Sequence, residues 1–340
     1  MRSRTNADRR VGRSMCRSPS LFAPRLDRGC LIRIIPLNIE RGSNVDFVHS
    51  KNMRPRSPLS ILIPTRNEVA NIEDCLKSCS FADEVTVVDS SSTDGTQEIA
   101  RRMGANVIDF NWNRQFPKKK NWALENVPWR HEWLFILDAD ERITPELAVE
   151  LTAIVSGEKT GFDGYYVNRR FYFLDGWIRH CGYYPSWNLR FFRHALGRYE
   201  EFEGVSSTNS GDNEVHEHVI LHGSTSRLKH DMEHFAFPTI DIWVEKHNRY
   251  SNWEARLLVS QEGKSAAVGA AIEPSLARKR WLKHQAERLP FRATLRFLYH
   301  YIFRGGFLDG YRGFVLCRLM GFYEFLNVSK AREIRRKLGS

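Results

Sequence analysis

The 340-residue sequence has no run of about eighteen uncharged apolar residues, so no segment reads as a conventional membrane-spanning helix. Cysteine is sparse: the six residues, at 16, 30, 75, 79, 181 and 317, form no Cys-x-x-Cys pair and have no histidines at zinc-finger spacing. That excludes a structural zinc and a disulfide framework, leaving reduced thiols as the expectation. No secretory signal pattern is read at the start. Glycine is missing from PTRNEVAN (64–71), the segment after the first strongly apolar run, where a nucleotidyltransferase would be expected to carry a Gly-rich, Arg-containing loop.

The net charge of +11 would suit a nucleic-acid or anionic-membrane partner if it were spread evenly. It is not: residues 1–56 carry 13 Lys/Arg against 4 Asp/Glu, residues 57–240 carry 19 against 27, and residues 241–340 carry 19 against 9. The acidic centre argues against a nucleic-acid partner. Residues 1–56 are Arg-rich without a periodic apolar face, so the expectation is a disordered or non-native extension with Met53 as the functional start; a transit peptide is the other reading.

From Leu59 the chain alternates strand and helix signals. SILIP is a short apolar run, followed by a helical stretch from Asn67-Glu68 with Ile72, Leu76 and Cys79 near one face. EVTVVD (84–89), NVIDF (106–110) and WLFILD (133–138) read as further strands; helices start at Asp94-Gly95-Thr96 and within PKKKNWALENV. The expectation is an α/β fold with a mostly parallel, doubly wound sheet. In such sheets ligands bind beyond the carboxyl ends of the strands. Two expected strands end in aspartate, Asp89 and Asp138. A lone terminal Asp is equally a turn or cap residue, but Asp138-Ala139-Asp140 sets two like charges in one cleft. A hard divalent ion such as Mg²⁺ or Mn²⁺ would relieve their repulsion and can bridge a diphosphate.

The series ILIPTRNE (61–68), VVDSSSTDGT (87–96), KKKNWAL (118–124) and LDADE (137–141), in this order and at these separations, resembles the inverting glycosyltransferases of family 2, with a GT-A fold. The continuation NRRFYFLDGWIRHCGYYPSWNLRFFR, then NEVHEHV, is similar to the branch that builds lipopolysaccharide cores and related surface polysaccharides, including core β-1,4-glucosyltransferases. The resemblance covers roughly residues 57–325. It implies that Pro64, Thr65, Asn67, Glu68 and Asp89 hold the nucleotide, with Asp89 on the base or ribose. It also implies that Asp138 and Asp140 hold Mn²⁺ or Mg²⁺ on the diphosphate of a UDP-linked sugar. Lys118 opens a helix whose N-terminus could face phosphate, and a solvated basic turn is the competing reading.

An inverting transfer needs a base for the acceptor hydroxyl. The resemblance points to Glu217 in VHEHV, with Glu214 and Asp212 as the open alternatives. Of the nearby histidines, His230 is the candidate late ligand for the metal. The branch further implies a lipid-linked saccharide acceptor met at the cytoplasmic face of the membrane, and no nucleic-acid partner. On this reading residues 57–240 form the transferase domain. Residues 241–340 form a helical, basic and aromatic region, in which LPFRATLRFLYHYIFR (289–304) and GFLDGYRGFVLCRLMGFYEFL (306–326) suit an in-plane membrane contact.

Overall fold

The computed structural model describes residues 56–113, 115–157, 161–200, 218–260 and 291–339. All the described residues belong to one compact unit. Of the expected extension only Arg56 lies among them.

In chain order the strands are β1 Ser57–Thr65, β2 Ala82–Asp89, β3 Asn106–Asp109, β4 Trp133–Ile136, β5 Glu141–Ile143, β6 Gly164–Phe173, β7 Gly176–Ile178, β8 Trp187–Arg193, β9 Gly197–Tyr199, β10 Val219–Leu221, β11 Thr225–Arg227 and β12 Met232–Phe237. The described α-helices are α1 Ile72–Ser78, α2 Thr96–Arg102, α3 Lys119–Asn126, α4 Pro145–Val155, α5 Ile240–Ser260, α6 Arg292–Leu298 and α7 Gly310–Leu338. The main sheet runs β3-β2-β1-β4-β8-β6-β12-β5. The expected α/β sheet is therefore present, parallel from β3 to β4. Beyond that point it is mixed, because β8 runs antiparallel to both β4 and β6.

Strand β1 occupies the centre of the parallel half. Every residue of SPLSILIPT except Pro58 is buried, as a strand covered on both faces requires. Its period-2 alternation divides the core. Leu59, Ile61 and Ile63 pack with Ile72 and Leu76 of α1 and Leu147 and Leu151 of α4. Leu62 points the other way, toward Ala123 and Leu124 of α3. Helix α4 starts where its sequence allows: the Thr144 hydroxyl accepts the Leu147 N–H and Pro145 takes the first turn.

A third core joins the sheet to the C-terminal helices. Phe171 and Phe173 of β6 and Ile178 of β7 pack with Trp243 of α5 and Leu316 and Met320 of α7. The division expected at 240/241 is one of composition; packing runs across it. Trp243 is fully buried, and an indole covers roughly 150–250 Å², an upper-bound gain of about 4–6 kcal/mol. That holds α5 on the sheet. The neighbouring His247 ring stacks on Trp243 at 3.6 Å between centroids. Burial pushes its imidazole down to about 4, so it is neutral at pH 7, and its Nδ1–H donates to the Trp243 carbonyl at 2.9 Å.

Candidate active site

The parallel strands deliver their last residues in register: Thr65 lies opposite Asp89, and Asp89 opposite Asp109. Thr65 Oγ1 donates to Asp89 Oδ2 at 2.6 Å. The same carboxylate accepts from Ser92 N–H at 2.7 Å, Ser92 Oγ at 2.5 Å and Gln97 Nε2 at 2.7 Å. Burial works to raise its pKa, but the bonds from Ser92, Thr65 and Gln97 outweigh it and hold the carboxyl below its usual value. With 0% exposure and four donors, Asp89 fixes two loops against each other. The direct base or ribose contact expected of it requires one of those bonds to be exchanged. Asn67 sits in the left-handed region at φ 55°; its N–H donates to Ser92 Oγ at 2.7 Å and its Oδ1 accepts from Thr93 N–H at 2.9 Å. Pro64, Thr65, Asn67, Glu68 and Asp89 thus meet at one end of the sheet.

The lysine run is not a solvated turn. Lys118, Lys119 and Lys120 are 1%, 2% and 3% exposed, because α3 enters the molecule by its N-terminal end. Lys118 precedes the helix, with Nζ 5.4 Å from the Phe116 ring centroid. Lys119 Nζ donates to the Thr65 carbonyl at 2.7 Å. Lys120 reaches Asp138 Oδ1 at 3.0 Å.

Asp138 lies just past β4 and is also held by Arg190 of β8, whose Nη2 donates to Oδ2 at 2.5 Å. Arg190 stands 3.3 Å from Glu141 Oε1, and Arg169 of β6 stands 3.4 Å from the same oxygen. Glu141 is fully buried, and its Oε2 accepts the Asp138 N–H at 3.0 Å. Burial would raise the Asp138 carboxyl, yet Arg190 and Lys120 together hold it well below the carboxylate range. Buried charges persist only when paired in this way.

Asp140, two residues on, faces His234 and Lys246. His234 Nε2 of β12 is 3.6 Å from Oδ1, and Lys246 Nζ of α5 is 3.8 Å from Oδ2. Burial opposes ionisation, and His234 and Lys246 outweigh it, so the carboxyl lies below its ordinary value. Glu68 feels the same neighbourhood from the other side: burial, then the charges of Asp140 and Asp138, raise its pKa.

The structure does not bring His230 to this pair. Its Nδ1 lies 3.0 Å from Glu150 Oε2 of α4, and its side chain is 45% exposed. Strand alternation explains the difference: β12 begins two residues later, and its pairing of His234 with Glu141 of β5 sets that imidazole beside the Asp-x-Asp turn. Glu217, Glu214 and Asp212 lie outside the described residues.

Sequence reasoning missed Arg190, Lys120, Glu141, His234 and Lys246. Arg190 had a readable signal, since a charge inside the apolar strand LRFF must find a partner. Lys246 had none, being more than a hundred residues from Asp140 in sequence.

Residues 60–217 match the family model of Glycosyl transferase family 2. The chain is 29% identical over 292 residues to a lipopolysaccharide core biosynthesis glycosyltransferase, LpsC, of Rhizobium meliloti, covering 82% of this chain and 93% of that protein. An uncharacterized glycosyltransferase of Rickettsia bellii is 27% identical over 285 residues, covering 81% of this chain and 86% of that one. A crystal structure of S. aureus TarS 1-349 aligns over 83% of this chain and 92% of that chain at 16% identity, with a TM-score of 0.36, too low to support a comparison of folds. Residues 60–217 are a glycosyl transferase family 2 domain.

Proposed function

We propose that the chain is an inverting glycosyltransferase that moves a sugar from a UDP-sugar to a lipid-linked saccharide, in the assembly of a lipopolysaccharide core or surface polysaccharide. It would work peripherally at the cytoplasmic face of the membrane. The observation that carries the reading is the arrangement at the carboxyl end of β4. Asp138 and Asp140 stand there among Lys120, Arg190 and Lys246, so one cleft offers carboxylates for a metal and cations for a diphosphate. The similarity to LpsC, a lipopolysaccharide core biosynthesis glycosyltransferase, supports the choice of product class.

Among the described residues no group of three or more His, Cys, Asp or Glu is gathered as a metal cluster. The donor chemistry nevertheless fits a hard divalent ion. Asp138 meets Lys120 and Arg190 at 3.0 and 2.5 Å, and the contacts of Asp140 with His234 and Lys246 among the described residues are longer, 3.6 and 3.8 Å, which leaves its carboxylate the better placed to take an ion. Asp140 and His234 would hold Mn²⁺ or Mg²⁺, with Asp138 beside them. A bound ion would neutralise the charge that develops on the departing diphosphate. The chain supplies the rest: Lys120 and Arg190 keep Asp138 ionised and oriented, and the loops fixed by Asp89 and Asn67 form the nucleotide's floor. Glu217 removes the acceptor hydroxyl's proton as its oxygen attacks the anomeric carbon opposite the diphosphate.

UDP with Mn²⁺ at about 100 times Kd is expected to add about 2.7 kcal/mol of stability, raising Tm by roughly 5–10 °C. Duplex DNA should leave Tm unchanged. Stabilisation by DNA and not by UDP would reverse the assignment.

A further inference from the structure

Of the nineteen large apolar side chains exposed among the described residues, twelve lie between Phe291 and Leu338. They are concentrated on α6, on the π-helical turn Tyr299–Phe303 and the 3-10 turn Gly306–Asp309 that follow it, and on α7. Phe291, Phe303 and Tyr311 are 83%, 78% and 75% exposed. On α7 the exposed positions 311, 314, 322 and 325 fall at helical spacing on one stripe. Between α6 and α7 a groove of about 660 Å³ is lined by Phe297, Phe314, Phe322 and Arg318, among others.

These side chains stand on a fixed frame. Phe297 and Tyr301 stack at 5.3 Å, and Tyr301 meets Phe314 at 5.8 Å. Glu324 holds Arg292 at 2.5 Å and Arg296 at 2.7 Å, and Asp309 holds His180 at 3.0 Å. Residues 291–339 carry ten Lys/Arg against three Asp/Glu. Two of those three acids, Asp309 and Glu324, are spent on the internal ties just named, so the outward charge of the segment is basic.

We propose that this surface docks the enzyme in the plane of an anionic lipid bilayer. The aromatic and aliphatic side chains of the two helices and their connecting turns would enter the headgroup boundary, while Arg304, Arg318 and the basic end of α7 meet lipid phosphate. Contiguous exposed apolar surface of this kind marks an interaction site. None of the described helices is long and apolar enough to cross a membrane, so the contact lies along the surface. Charge selects the occupant: ten Lys/Arg against three Asp/Glu leave the segment net basic, so a second copy of the same face would set like charge against like, whereas an anionic bilayer neutralises it. The inference rests on the membrane-peripheral reading above and gives it a surface.

The test is co-sedimentation of the full chain with vesicles of equal parts phosphatidylcholine and phosphatidylglycerol, and with phosphatidylcholine alone. Binding should be about tenfold stronger to the anionic vesicles. The double variant Phe303→Ser, Tyr311→Ser should lose about tenfold of that binding while keeping the thermal shift with UDP and Mn²⁺, since both side chains are largely solvent-exposed. Equal vesicle binding by wild type and variant, or none by wild type, overturns the proposal. So does a wild-type dimer that the double substitution dissociates, which would give the face to a second copy. Vesicle binding requires no turnover, so it can succeed where the transfer reading fails, and the reverse.

Discussion

Asp140→Asn is expected to lower transfer by about 10²-fold or more while leaving Tm close to wild type, and Asp138→Asn is expected to lower both. The two carboxylates are two residues apart but do different work. Asp140 meets His234 and Lys246 at 3.6 and 3.8 Å, longer than the 3.0 and 2.5 Å pairs of Asp138 and weaker for the distance. Losing its charge removes a ligand of the proposed metal. Asp138 faces Lys120 at 3.0 Å and Arg190 at 2.5 Å, cations only 3% and 8% exposed. Without it Arg190 keeps Glu141, while the 3.0 Å ion pair with Lys120 is lost. Breaking a buried pair in this way costs roughly 3–5 kcal/mol, or about 6 °C or more in a domain of this size.

Acid should imitate the Asp138 substitution. A carboxyl held below its unfolded pKa contributes stability that is complete above that value and lost as pH falls through the folded one, so the loss begins below about pH 4. An unchanged Tm in Asp138→Asn would remove the ion cluster from the account. Full activity in Asp140→Asn, or transfer by the wild type unaffected by EDTA, would remove the metal.

Glu217→Gln should reduce turnover by about 10²–10⁴ with UDP affinity almost unchanged. Glutamine keeps the shape of the side chain but cannot accept the acceptor's proton. The diphosphate, by contrast, is assigned to residues from β1 to β12 that do not include position 217. Calorimetry of UDP binding and nucleotide release on the same variant separate the two roles. Near-wild-type transfer would move the base to Glu214 or Asp212; a matching loss of UDP affinity would make Glu217 part of the donor site.

The parallel half of the sheet was legible because its strands are short apolar runs ending in Asp or Thr, and because β1 alternates between two cores. The Asp-x-Asp turn was legible for the same reason: a buried strand that stops in carboxylates needs a chemical explanation. What surrounds that turn was not. Lys118 to Lys120 leave a phosphate-facing helix start and a solvated basic turn both open in the sequence, because consecutive residues there point in different directions, yet all three are buried. Position along the chain points to His230, whereas register sets His234 beside Asp140, because β12 pairs His234 with Glu141. The change of composition near residue 240 was visible, but not that Trp243 would anchor α5 under the sheet and bring Lys246 to Asp140. Long-range pairings of this kind leave no local pattern to read.

The proposed transfer is tested by the release of nucleoside diphosphate from a panel of sugar nucleotides, with Mn²⁺ and a lipid-linked core saccharide acceptor. Release from a UDP-sugar is expected to depend on both acceptor and metal and to be lost in Asp140→Asn. Release from no member of the panel, or release that persists in Asp140→Asn, would contradict it.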